Sequence, residues 1–180
     1  MVSEDFDDPR LTAMGLLIEV HEGVTARLDP VHARHGLSGN DFDTLIRLAR
    51  SAEGRLRMTD LAVQTSLSTS GITRVVDRLE RHGLVRREPC PIDRRSSFAV
   101  LTEEGEHRLG ALLPELLDEI ATCFTGVLST EGLDALTDAL RVVRDTVRPG
   151  ALAGARPGAL VSARPAASGV STSGTAGRTT

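Results

Sequence analysis

Apolar residues recur along most of this chain at steps of three and four, the repeat that gathers them on one face of an α-helix. Leu11, Met14, Leu17, Ile18, Val24 and Leu28 set out a long first helix, with Asp8 as its cap and Pro9 at its first position, where proline's missing N–H costs nothing. Pro30 is expected to kink or end that helix, and Gly36 to stop it. Ser38 opens a second helix with Asp41 as its capping partner and Phe42, Leu45, Ile46 and Leu48 turned inward; it ends around Ser51 to Gly54. Arg57 and Met58 form a very short strand, after which Thr59 caps a third helix whose Leu61, Ala62 and Leu67 face the core.

A fourth helix follows at once. Ser68 or Thr69 caps it, Ile72, Val75, Val76 and Leu79 make its apolar stripe, and Gly83 stands where a left-handed residue ends a helix. The pattern then changes: Leu84 to Glu88 is a strand, Pro89 to Ser96 a turn-rich tip, and Ser97 to Leu101 a returning strand with Phe98 and Val100 on one face. Thr102 caps a further helix carrying Leu109, Leu112, Leu113, Leu116, Leu117, Ile120 and Phe124, with Glu103 and Glu104 favourably placed against its dipole and Pro114 expected to kink it. A last helix brings Leu133, Leu136, Leu140 and Val143. The fold class is therefore mainly α (α+β): a helix-turn-helix with a β-hairpin wing at residues 37–101, flanked by helices at 1–36 and 102–148. Residues 149–180, rich in Gly, Ala, Ser, Thr and Pro, lack the apolar residues to form a core and are expected to be a disordered tail.

Composition fits this picture. A chain of 180 residues, 40% hydrophobic, with four Phe and neither Trp nor Tyr, must build its core from Leu, Val, Ile and Ala. No apolar run approaches the length of a membrane helix and the start is acidic, so a cytoplasmic location is expected. Cys90 and Cys123 lie far apart without metal-ligand spacing and are expected to be reduced thiols.

Net charge is −4, which alone argues against nucleic acid, but its distribution reverses the argument. Residues 55–95 hold 9 Arg against 5 acids, while residues 1–54 hold 5 against 10 and residues 96–148 hold 4 against 10. A basic segment between acidic ones is the footprint of a DNA-binding module on a non-binding scaffold. All 21 basic residues are Arg throughout the chain, so no arginine acquires a DNA role by identity alone.

The outer face of the fourth helix carries Thr69, Ser70, Thr73, Arg74, Asp77, Arg78 and Arg81. Small hydroxyl side chains let a helix N-terminus approach phosphates and base edges, and Arg74 can reach a guanine edge. Capping and a solvated surface account equally for the same residues. At the hairpin tip Asp93 either orients a neighbouring arginine or is a simple turn residue.

Through LSGNDFDTLIRLA, MTDLA, ITRVVDRLERHGLVRRE, the DRR tip and LTEEGEHRL, the stretch from Leu37 to Arg108, 40% of the chain, resembles the MarR family of bacterial winged-helix transcription regulators. The resemblance implies a homodimer with interlocked terminal helices, each winged helix reading half of a palindromic operator in double-stranded DNA. It makes Ser68 to His82 the recognition helix, with Ser70, Thr73 and Arg74 as leading groove contacts and Ser68, Thr69 and Arg78 beside them. It makes Arg95 the wing arginine, oriented by Asp93, with Arg94 on the backbone. Arg86 and Arg87 rank below Arg95, and Arg87 pairs with Asp93 or Glu88.

The family's regulation implies a small-molecule effector in the crevice between dimerisation helices and winged helix, where His21, Arg27 and His35 are expected. His32 and His35 are expected to be surface residues. No ligand set for a metal is complete, and no cofactor is expected. Cys90 is expected to be a filler, with redox activity as the alternative. Triad, paired-carboxylate and phosphate-loop arrangements are missing, the last impossible without Lys, which argues against an enzyme. A winged helix used only for protein contact is the remaining alternative, since fold does not imply function.

Overall fold

A computed structural model of the chain describes residues 7–90 and 96–149. The wing tip with Asp93, Arg94 and Arg95, and the expected tail beyond Pro149, lie outside the described residues. The described elements run α1 (Pro9–Arg34), α2 (Gly39–Arg50), β1 (Arg55–Arg57), α3 (Met58–Thr65), α4 (Thr69–Arg81), β2 (Val85–Pro89), β3 (Ser97–Leu101), α5 (Glu103–Cys123) and α6 (Thr130–Val147).

Helix starts follow local chemistry. Asp8 accepts the Arg10 N–H at 2.8 Å, Ser68 the Gly71 N–H at 3.1 Å, and Thr102 the Gly105 N–H at 3.1 Å, each satisfying a donor that the helix leaves unpaired. At α2 the box closes both ways: Asp41 N–H donates to Ser38 Oγ at 3.2 Å and Ser38 N–H to Asp41 Oδ2 at 2.9 Å. α4 ends as expected at Gly83, whose φ of +72° suits glycine. Gly83 N–H then reaches the Glu80 carbonyl at 3.0 Å and Leu84 N–H the Leu79 carbonyl at 2.9 Å, the paired bonds of a Schellman stop.

Three expectations are corrected. The short strand is Arg55–Arg57 rather than Arg57 and Met58, because Arg55 and Arg57 pair with Val100 and Phe98 of β3. That pairing runs directly into α3, so Arg57 occupies the cap position without a side-chain bond, and Thr59, the expected cap, lies inside the helix. Pro30 does not end α1, which continues through it to Arg34, and Pro114 lies within α5. His32 is buried rather than on the surface: its ring stacks on Phe42 with centroids 5.0 Å apart, and neither ring nitrogen has a hydrogen-bond partner among the described residues.

The sheet is antiparallel with strand order β1-β3-β2. Its inner face sends Leu56, Val85, Ala99 and Leu101 into a core with Leu45 and Leu48 of α2, Leu61 of α3, and Ile72, Val76 and Leu79 of α4. Ile46, expected inward, stays half-buried outside this cluster. Leu109, Leu112 and Leu116 of α5 and Val31 of α1 close the core from the flank. Each fully buried aliphatic side chain contributes about 1.5–3 kcal/mol, so this one cluster stabilises the body that carries the wing and α4.

The rest of the flank is different. Leu11, Met14, Leu16, Leu17, Ile18 and Val20 of α1 are exposed, and no residue of α6 is buried.

Candidate nucleic-acid interface

Helix α4 separates its two faces sharply. Ile72, Val75, Val76 and Leu79 are buried, while Ser68, Thr69, Ser70 and Arg74 are exposed and Thr73 is half-buried beside them. The cap is shared, with Ser68 Oγ and Ser70 Oγ 3.1 Å apart, and Thr73 Oγ1 donates to the Thr69 carbonyl at 2.8 Å. The hydroxyl oxygens keep lone pairs beyond these bonds, and the helix N-terminus favours negative charge. Among the described residues Arg74 has no ion-pair or hydrogen-bond partner, so its guanidinium extends from this face uncommitted.

The neighbouring arginines are committed to holding the helix. Arg78 forks onto the buried Asp41 carboxylate, with Nη2 2.6 Å and Nε 3.1 Å from Oδ1, and its Nη2 also reaches Ser38 Oγ at 3.2 Å. The capping carboxylate of α2 thereby fixes α4 as well. Arg87 acts from the other side. It points to the inner face of the sheet, where its Nη2 lies 2.6 Å from Asp77 Oδ1 and 3.4 Å from the Thr73 carbonyl, and its backbone N–H donates to Glu80 Oε1 at 3.1 Å.

Among the described residues Asp77, and not Glu88, is the partner of Arg87, and Glu88 takes Arg86; Asp93 lies outside the described residues. Alternation along a strand puts residues 86 and 88 on one face and 87 on the other, so a neighbour in sequence is the wrong partner. One residue of β2 thus ties the root of the wing to the middle of α4, a role that sequence reasoning misses. Nothing local marks it, because the contact spans two elements.

The outer face of the sheet is cationic. Arg55, Arg57 and Arg86 lie on it around Phe98 and Val100, with the Arg55 and Arg57 guanidinium carbons 5.2 and 5.7 Å from the Phe98 ring centroid. Arg55 also pairs with Glu53 and Glu88. Asp93, Arg94 and Arg95 lie outside the described residues.

Between α1 and α5, Arg27 Nε bonds Glu119 at 2.5 Å, and Arg34 and His35 both hold Glu115. The Glu119 carboxylate raises the Arg27 pKa, and Arg34 followed by His35 lowers that of Glu115. His21 is exposed on the same helix, 14 residues before His35, which at the helical rise is roughly 21 Å away; one protomer does not gather His21 and His35 at one point. Among the described residues no group of three or more His, Cys, Asp or Glu is placed to hold a metal ion. Cys90 is buried and Cys123 half-buried.

The chain as a whole is similar to known proteins. The MarR family's profile matches residues 35–96, from the end of α1 into the wing. The HTH-type transcriptional regulator MhqR of Bacillus subtilis is 34% identical over 110 residues, covering 61% of this chain and 74% of the relative. The chain belongs to the MarR family. Its structural likeness extends further than the profile: AbsC, a MarR family transcriptional regulator from Streptomyces coelicolor, superimposes with a TM-score of 0.72 at 34% identity, over 79% of this chain and 96% of AbsC. Sco3205 of the same organism, a MarR family regulator solved in complex with DNA, gives 0.72 at 33% identity over 77% of this chain and 88% of its own. The match thus takes in the flanking helices of this MarR-family transcriptional regulator as well as its winged helix.

Proposed function

We propose that this chain is a sequence-specific DNA-binding regulator that represses transcription by occupying a palindromic operator as a homodimer. The observation that carries the proposal is the exposed N-terminal half of α4, with Ser68, Thr69, Ser70, Thr73 and Arg74 outward and two arginine struts holding its other sides. A helix of this width enters the major groove, and an uncommitted guanidinium can bond a guanine edge bidentately. The face is polar and cationic where a protein-docking winged helix would present apolar residues, and the relative Sco3205 was solved on DNA.

A second copy accounts for the exposed apolar faces of α1 and α6, since soluble monomers rarely leave such faces uncovered. Two recognition helices roughly 34 Å apart then meet successive major grooves of one duplex. The wing, with Arg95 oriented by Asp93 and Arg94 on the backbone, takes the adjacent minor groove. Among the described residues no helix is long and apolar enough to cross a membrane, and the regulator works in the cytoplasm with its DNA.

A small-molecule effector acts between the dimerisation helices and the winged helix, beside the ion pairs that join α1 to α5. An anionic effector must compete with Glu115 and Glu119 for Arg27, Arg34 and His35, and by parting α1 from α5 it would change the spacing of the recognition helices. Gel shift with the promoter beside the chain's own coding sequence tests the DNA proposal. Arg95→Ala is expected to weaken binding by about tenfold or more with fold and dimer intact. Unchanged binding at moderate salt would remove the wing from the interface.

A further inference from the structure

Only Ser66 and Leu67 separate α3 from Ser68, the cap of α4. The last turn of α3 therefore sets where the recognition helix begins. Ser66 makes the reversal with a φ of +58°, in the left-handed region that serine enters at a cost in free energy, so neighbouring bonds must hold it there. Part of that hold is local: Ser66 N–H reaches the Val63 carbonyl at 3.4 Å and Leu67 N–H the Ala62 carbonyl at 3.2 Å. The rest comes from a distant part of the chain.

Arg148, the residue after α6, is docked on this turn. Its Nη2 donates to the Val63 carbonyl at 2.5 Å and to the Gln64 carbonyl at 3.3 Å. The last four carbonyls of an α-helix have no partner within it and carry the negative end of its dipole, so a guanidinium answers both needs there. Beside the contact is an open cleft of about 570 Å³, lined by Arg148 together with Ser66, Ser68 and Thr69. The other end of Arg148 is fixed as well, its backbone N–H bonding the Arg144 carbonyl at 2.7 Å to close α6. No residue of α6 is buried and its packing on the other described elements is slight, so Arg148 is its main tie to the winged helix among the described residues. A helix whose exposed apolar stripe is assigned to a second copy thus ends on the turn that starts α4.

We propose that Arg148 is a positioning residue, through which the seat of α6 in the dimer fixes the start of the recognition helix on the operator. The proposal rests on the DNA-binding and dimer functions above and names a residue that joins them. Arg148 acts by keeping Ser68, Thr69 and Arg74 at the angle the groove requires. Its loss therefore lowers binding to the specific site and leaves the number of phosphate contacts alone.

The test is fluorescence anisotropy with the full chain, on the promoter beside its own coding sequence and on a scrambled duplex of equal length, over a range of salt. Arg148→Ala should weaken promoter binding about three- to thirtyfold, the range of couplings carried between packed elements, with helix content and dimer mass unchanged. Its binding to the scrambled duplex and its log–log salt slope should stay as in wild type. Arg148→Lys should recover most of the loss, since a single nitrogen serves both carbonyls and an ammonium can take its place. Two glycines inserted between Val147 and Arg148 should repeat the loss of Arg148→Ala, because the guanidinium can still cap α3 but no longer follows α6. Wild-type affinity in the insertion chain would overturn the proposal and leave Arg148 a cap of α3 alone. Equal losses on both duplexes, with the salt slope reduced by about 0.9 per protomer, would overturn it by making Arg148 a phosphate contact. Promoter binding unchanged in Arg148→Ala overturns it while leaving the DNA-binding function standing, and a wild type that binds both duplexes equally overturns both together.

Discussion

In α4, Ile72, Val75, Val76 and Leu79 fall at helical spacing and all four are buried within the one chain. In α6, Leu133, Leu136, Leu140 and Val143 keep nearly the same spacing, and no residue of the helix is buried. The two stripes look alike as patterns. What separates them is the surroundings: α4 lies between α2, α3 and the sheet, whereas α6 is joined to the body mainly by Arg148 on α3 and the turn after α5. A periodic stripe therefore reports that a face will be covered, and packing decides by what. In this MarR-family chain the winged helix closes its core within the chain, and the flanking helices leave apolar surface exposed.

Charges placed on the two stripes should separate them most widely. Leu17→Glu together with Leu140→Glu would put carboxylates into the proposed dimer interface, each desolvated at about 2 kcal/mol or more, so the dimer dissociation constant should rise by about a thousandfold. Sedimentation equilibrium reads this directly, and an unchanged mass would place the dimer contact elsewhere. Within the body the effect is on folding. Leu79→Ala removes a fully buried side chain from both the core and the back of α4, and should cost about 2–5 kcal/mol in urea unfolding of the monomeric double variant. A loss under about 0.5 kcal/mol would show that the body is not a rigid unit.

The smallest effect is at the joint between the two regions, where His32 is buried against Phe42. Burial lowers its pKa from 6.5, outweighing the opposing pull of Asp29 at 3.9 Å. A histidine with a lowered folded pKa favours folding in its neutral form, so this contribution is complete above pH 6.5 and is lost as the pH falls below that value, until the folded group itself takes a proton. The loss is at most about 1.4 kcal/mol for each pH unit. The pair of Arg34 and His35 with Glu115 acts lower, because the Glu115 pKa is lowered from 4.5 and its contribution persists until the pH falls below that range. His32→Leu should flatten the stability profile between pH 6.5 and 5.5, a window chosen from the direction of the His32 shift. An unchanged slope would assign the pH dependence to other groups.

The same contrast describes what can be read from residues alone. Helix caps at Ser38, Ser68 and Thr102 and the stop at Gly83 are local bonds within a few residues, and they are legible. So is the outward face of α4, since the apolar stripe defines its opposite. His32 is misplaced by its sequence because helix spacing cannot show that α2 will lay Phe42 across it. Thr59 has the chemistry of a cap, yet β1 pairs through Arg57 and starts α3 before it. The site is least legible where arginines divide into struts and free cations. Arg78 meets Asp41 from 37 residues away and Arg87 meets Asp77 across an element boundary, while Arg74, of the same type and on α4 like Arg78, has no partner among the described residues.

Arg74 also offers the most direct test of the central claim, that the exposed half of α4 reads DNA. Fluorescence anisotropy would compare wild type and Arg74→Ala on the chain's own promoter and on a scrambled duplex of equal length and salt. Wild type is expected to prefer the promoter, and Arg74→Ala to lose about 1–3 kcal/mol there while its binding to the scrambled duplex changes far less. Equal wild-type affinity for both duplexes, or promoter binding unchanged in Arg74→Ala, would contradict it.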